Sequence, residues 1–216
     1  MSKVFHRTHD PIWHLQLGVS VVIGLQLATA SALLPYNKYL LITLEGLLMA
    51  ALAVVTPDAY HRISQPRRTL TMVLIAIIGI VNTVSLLLLL VALVNGHIDL
   101  SGRELLLNAV TIYITNIFMF ALWYWEMDGG GPDKRVSARS RVDFLFTQMA
   151  HPKFGSANWL PGFTDYLYLS ASNMTNFASS DTVPLSHRSK VLMMVQSIVA
   201  VITVVLVAAR AISILG

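Results

Sequence analysis

The chain has 216 residues, of which 55% are hydrophobic and 12% charged, with a mean hydropathy of +0.65. Soluble domains carry about 25% charged residues, so this composition excludes an ordinary soluble fold and places the chain in a lipid bilayer. The surplus of 15 Lys and Arg over 11 Asp and Glu fits anionic headgroups and calls for no nucleic acid, and the lack of any Cys excludes disulfides, thiolate metal sites and thiol catalysis.

In chain order, five apolar runs approach the roughly 20 residues that a membrane crossing needs: 12–34, 39–56, 70–94, 105–125 and 191–215. Each is expected to be a helix, because lipid offers no partner for backbone N–H and C=O groups. The first run follows Lys3 and Arg7 and contains Ala28-Thr29-Ala30, which looks like a signal cleavage site. Its apolar character continues through Leu34, so it is expected to stay as an anchor. Pro35 and Asn37 then form a tight turn that makes the first two runs an antiparallel hairpin.

In the second run Glu45 is the acid set well inside apolar sequence, "LITLEGLLMA". It reads as a proton or cation site, or as an interfacial carboxylate bonded to a neighbouring helix. Asn82, Asn108, Asn116 and Gln196 are further intramembrane polar residues, and their first reading is hydrogen bonding between helices, with Gln196 on the last helix also read as facing a partner or lumen. The fourth run ends in "ALWYWEMDGGGP". Trp123, Tyr124 and Trp125 are expected to form an aromatic belt at the headgroups, with Glu126 and Asp128 in water and the glycines stopping the helix. Beyond them Val142, Leu145, Phe146 and Met149 fall at i, i+3, i+4 and i+7, which predicts an amphipathic helix on the membrane surface with Arg139, Arg141 and Lys153 at the headgroups.

The stretch "PGFTDYLYLSASNMTNFASSDTVPLSHRSK", 161–190, is too polar to cross and too aromatic for a plain loop. It predicts a short helix that enters the protein and turns back, from about Phe163 to Ser180. The fold expectation is therefore an all-α membrane bundle of five crossing helices plus one re-entrant helix and loop. It divides into a four-helix region at 1–128, an amphipathic interfacial linker at 129–160, and a loop with the final helix at 161–216. With the N-terminus in the cytoplasm, 12 of the 15 Lys and Arg fall on the inside, leaving Lys38, Arg103 and Arg210. The seven His residues are scattered, with no i, i+4 pair, so neither a metal site nor a cofactor is expected.

From Tyr166 onward, the order of short helix, hydroxyl-rich turn, Asp, Pro and long helix resembles the potassium-channel pore module. Against that family's "TLTTVGYGDITP" the chain reads "NMTNFASSDTVP", 173–184, with Asp181 and Pro184 in the matching places and Thr182 one position before the family's Thr. The resemblance covers about the last fifty residues. It implies a pore segment made of Thr175, Asn176, Phe177, Ala178, Ser179, Ser180 and Asp181, repeated around an axis in a homo-oligomer of four. Ala178 and Ser180 stand where the family has glycines, and Ser179 replaces its tyrosine. A standard potassium filter needs those glycines for its alternating backbone, so the implied pathway is cation-leaning without that selectivity.

Over its whole length, in the order "LWYWEMDGGGP", "DFLF", "DYLYLS", "SSDTVPL" and "VQSIV", the chain resembles uncharacterised bacterial inner-membrane proteins related to the DUF1345 group. That resemblance implies a fold and an inner-membrane location, and little chemistry. The basic residues around the loop, Lys153, Arg188 and Lys190, place it on the cytoplasmic side, inverted relative to potassium channels. Two function classes follow: ion transport through a channel-like pore, or a non-conducting scaffold that keeps the fold and binds partners. An enzyme is the weakest reading, because no nucleophile with an adjacent base and no paired carboxylates appear.

Overall fold

The computed structural model describes residues 65–95, 102–135, 141–151, 153, 159–176 and 181–215, together with the single positions Leu17, Gly18, Ser20, Val21, Val22, Gly24, Leu25, Thr43 and Gly46. The described chain is mostly helical. Helix α1 spans Gln65–Asn95 and α2 spans Gly102–Met127, closed by a tight 3₁₀ turn at Asp128–Gly130. Then come α3 (Pro132–Arg135), strand β1 (Phe144–Leu145), α4 (Thr147–Ala150), α5 (Phe163–Asn176), strand β2 (Val183–Pro184) and α6 (His187–Leu215).

Among the described residues, three helices are long and apolar enough to cross a membrane: Arg68–Val91, Leu106–Gly130 and His187–Ala208. They correspond to the third, fourth and fifth apolar runs. The first two runs, and Glu45 with them, lie outside the described residues apart from the single positions named, which are helical.

Helices α1 and α2 pack antiparallel. Gly79 of α1 sits against the Met119 sulfur of α2, while Leu86 and Leu89 further along α1 share a cluster with Ala109 and Ile112. The Leu206 side chain of α6 closes that cluster. The larger core lies at the C-terminal end of α2, where Leu74 and Ile78 meet Leu122, Tyr124, Trp125, Phe144, Phe163, Tyr166 and Leu169.

Helix α5 has 14 residues, roughly 21 Å at the helical rise, against a hydrocarbon core of about 30 Å. Its hydrogen bonds run to Ile117 and Asp128 in the C-terminal half of α2 and its cap, and to Met193 and Gln196 in the first third of α6. It is a short helix seated at one end of the bundle.

Two expectations fail here, for related reasons. No continuous helix covers 142–149: the chain bends at Asp143, Phe144 and Leu145 form a short strand paired antiparallel with Pro184 and Val183, and helix begins only at Thr147. The buried positions are Phe144 and Phe146, a period of two, and the helical stripe had left out Phe144, which is fully buried. Ring contacts hold both phenylalanines, Phe144 at 5.1 Å from Tyr124 and Phe146 at 5.2 Å from Tyr166. Nor do Tyr124 and Trp125 face outward as a belt, although Trp123 stays half-exposed. Tyr124, Trp125, Glu126 and Asp128 are all buried, because α5 and the extended segment fold back over this end of the helix.

The glycine stop is present as predicted. Gly129, Gly130 and Gly131 take φ of 60°, 84° and 103°, values that favour glycine, and α2 ends at Met127 just before them. The last helix is capped by Ser186, whose Oγ accepts from the Ser189 N–H at 3.1 Å. Ser189 in turn donates to the Asp143 carbonyl at 3.1 Å, which ties the start of α6 to the extended segment. Ser186→Ala is expected to cost about 1 kcal/mol, and Ser186→Gly only a few tenths. Thermal unfolding in mild detergent reads the difference, and equal midpoints for the three proteins would refute the cap.

Candidate functional site

Two polar assemblies meet at the α5 end of the bundle. The first is built on Asp128. Its Oδ1 accepts from the backbone N–H of Asp143 at 2.6 Å and of Phe144 at 3.3 Å, and its Oδ2 accepts from the Tyr166 hydroxyl at 2.5 Å. Arg135, seven residues on, donates to the Asp128 carbonyl at 3.0 Å and also to the Trp125 carbonyl. Its guanidinium lies 5.0 Å from the centre of the Tyr166 ring. Burial raises the Tyr166 hydroxyl well above its usual pKa, so it remains a donor at neutral pH. Asp143 completes the junction by accepting from the Gly129 N–H at 3.2 Å. One carboxylate thus fastens the end of α2, the extended segment and α5 to one another.

The second assembly centres on Gln196 of α6, which is fully buried. Its Oε1 accepts from the Tyr124 hydroxyl and from Asn173 Nδ2, the latter at 2.9 Å. Its Nε2 donates to the Ser170 carbonyl at 3.1 Å and to Ser170 Oγ at 2.7 Å. Ser170 Oγ donates to the Ile117 carbonyl at 2.7 Å, and Asn173 reaches the Met193 carbonyl at 3.0 Å. Gln196 therefore joins α2, α5 and α6 inside one protomer. The sequence reading of Gln196 as hydrogen-bonding between helices describes this geometry, whereas a position facing a lumen or partner does not.

Of the pore-equivalent residues, Thr175 and Asn176 close α5 and are exposed, and Phe177, Ala178, Ser179 and Ser180 lie outside the described residues. The Thr175 hydroxyl is turned back on its own helix, donating to the Ala171 carbonyl at 3.0 Å. Asp181 is exposed and held in place: its Oδ2 accepts from the Tyr168 hydroxyl at 2.8 Å, and its carbonyl accepts from Thr147 Oγ1 at 2.8 Å. The carboxylate does not cap α6, a role that belongs to Ser186. Asn82 and Asn116 are buried in the bundle, whereas Asp181 is exposed.

Most described charges of both signs stand at one end of the bundle. Among the described side chains, Arg68 and Lys134 beside Gly131 and Gly130, Arg135, and Arg188 and Lys190 at the start of α6 stand at the end that holds Asp128, and Arg103 marks the start of α2 at the other. No group of three or more His, Asp or Glu able to hold a metal occurs among the described residues.

The sequence reading missed the Asp128, Tyr166 and Arg135 cluster and the Ser170 and Asn173 pair. The i, i+3 spacing of Ser170 and Asn173 on a short aromatic helix was the available signal for the pair. No family model, no curated protein and no solved structure matches the chain.

Proposed function

We propose that the chain is a multi-pass membrane transport protein of cation-leaning character, in which each protomer lends one pore-type segment to a shared axis. The observation that carries this reading is the seat of α5: a helix too short to cross, docked between α2 and α6, whose Tyr168 hydroxyl orients the exposed carboxylate of Asp181. The reading takes up the resemblance to the potassium-channel pore module and to the DUF1345-related proteins. It has five crossing helices with α5 as the re-entrant element, four copies around the axis, and an inner membrane whose cytoplasmic face meets the end richer in Lys and Arg. A ring of Asp181 carboxylates with the hydroxyls of Thr175, Ser179 and Ser180 favours hydrated cations over anions.

Flux of K+, Na+, H+ and Cl− through purified protein in liposomes tests it. Cation flux above protein-free vesicles is expected, falling several-fold in Asp181→Asn while the melting temperature holds. An absence of flux for all four ions sinks the transport reading.

One observation favours a second reading, a non-conducting scaffold. Between Val191 and Val205 the outward face of α6, including Met194, Ile198 and Val201, is apolar, and the amide of the helix is spent inside its own protomer. A helix with that face offers nothing to a hydrated lumen. A stable oligomer without flux would select this reading.

A further inference from the structure

We infer that the interior of the bundle, at Thr115 and Asn116 of α2, is a hydrated site that binds water apart from the loop before the last helix. The inference does not rest on the transport reading.

Thr115 and Asn116 are 1% and 2% exposed. Neither the Thr115 hydroxyl nor the Asn116 Nδ2 has a hydrogen-bond partner in the protein. The contrast with the other helical hydroxyls is direct. Thr83 donates to the Gly79 carbonyl at 2.8 Å, Ser85 to Val81 at 2.9 Å and Thr203 to Val199 at 2.8 Å, each one turn back in its own helix. Thr115 forgoes that local bond. In hydrocarbon an amide N–H or a hydroxyl without a partner is costly, and buried groups of this kind are met by ordered water.

The level at which these groups sit is polar on the neighbouring helix as well. Gly79 packs on Met119, and Leu86 shares a cluster with Ile112. In that antiparallel register, buried Asn82 of α1 comes to the height of Thr115 and Asn116. A ligand for this layer must accept from an amide N–H, exchange a hydrogen bond with a hydroxyl, and be small enough for a site this closed. Water meets all three requirements.

Hydroxyl-radical footprinting by X-ray radiolysis, with the full chain in nanodiscs, reads internal water directly. Met119 lies one helical turn from both residues and is 5% exposed, while Met193 is 8% exposed. Met119 is expected to oxidise several-fold faster than Met193 despite its deeper burial, and to fall to the Met193 rate in Asn116→Leu. Thr115→Val, which keeps the shape and removes only the hydroxyl, is expected to leave the melting temperature unchanged or lower it. A native Met119 that oxidises no faster than Met193 overturns the inference, even if neither variant folds. A raised melting temperature for Thr115→Val also overturns it, since that is the gain from deleting a dry, unpartnered hydroxyl.

Discussion

Asp128→Ala is expected to destabilise the protein by about 3–5 kcal/mol, the cost typical of removing one partner from a buried charged network. The side chain is fully buried, and its two oxygens take three hydrogen bonds, from Asp143 N–H, Phe144 N–H and the Tyr166 hydroxyl. With alanine in its place all three donors are stranded, and the Arg135 guanidinium beside them loses its counter-charge. Asp128→Asn is expected to be milder, because the amide oxygen still serves the two backbone donors and the Tyr166 hydroxyl can turn to accept. Tyr166→Phe removes one bond to a charged group and is expected to cost about 1.5–3 kcal/mol. Thermal unfolding in detergent ranks the three, and an Asp128→Ala protein as stable as the native one would refute the junction.

The effect is also expected to reach Asp181. Asp128 holds the N–H groups of Asp143 and Phe144, Phe144 and Leu145 pair with Pro184 and Val183, and Thr147 holds the Asp181 carbonyl. Loss of the carboxylate frees the first link of that chain. Hydrogen exchange of the Leu145 and Val183 amides should rise in Asp128→Ala, well before global unfolding.

Hydropathy made three spans legible, since a long apolar run has one stable form in lipid. The glycine stop after α2 was legible from three consecutive residues free to take positive φ. The short helix α5 was legible from aromatic residues followed by a polar tract, and it begins at Phe163, where the sequence placed it. What lay beyond reach were contacts that depend on a returning segment. An aromatic cluster at a helix end reads as a membrane belt unless something covers it, and the cover here is α5 with residues 141–146, which approach from later in the chain. Phe144 and Phe146 alternate over too few residues for a strand signal, while Val142, Leu145, Phe146 and Met149 imitate a helical stripe. The pairing that decides between the two is only two residues long, and its partner lies at Val183–Pro184. Asp128 looked like a solvated helix end because nothing local announces Tyr166 as its donor, 38 residues on.

Gln196 separates an interior network from a lumen lining. Gln196→Leu is expected to lower stability by roughly 3 kcal/mol, a sum of several unpaired groups at about 1 kcal/mol each. The Tyr124 hydroxyl loses its acceptor, and Ser170 loses the amide donor to both its carbonyl and its hydroxyl. Asn173 is hurt less, since its Nδ2 keeps the Met193 carbonyl at 3.0 Å. A double-mutant cycle of Gln196→Leu with Asn173→Leu should therefore give a coupling of about 0.6 kcal/mol and no more than about 1.7 kcal/mol, the average and the maximum for polar pairs between membrane helices. The pair Gln196 and Tyr124 should couple at least as strongly, because Tyr124→Phe removes the one donor that has no second acceptor among the described bonds. Were Gln196 instead a lining residue, its replacement by Leu would remove a wet amide at little structural cost and change flux with the melting temperature intact. The buried geometry calls for the opposite order: the melting temperature falls first, and any loss of flux follows from α5 losing its hold on α6.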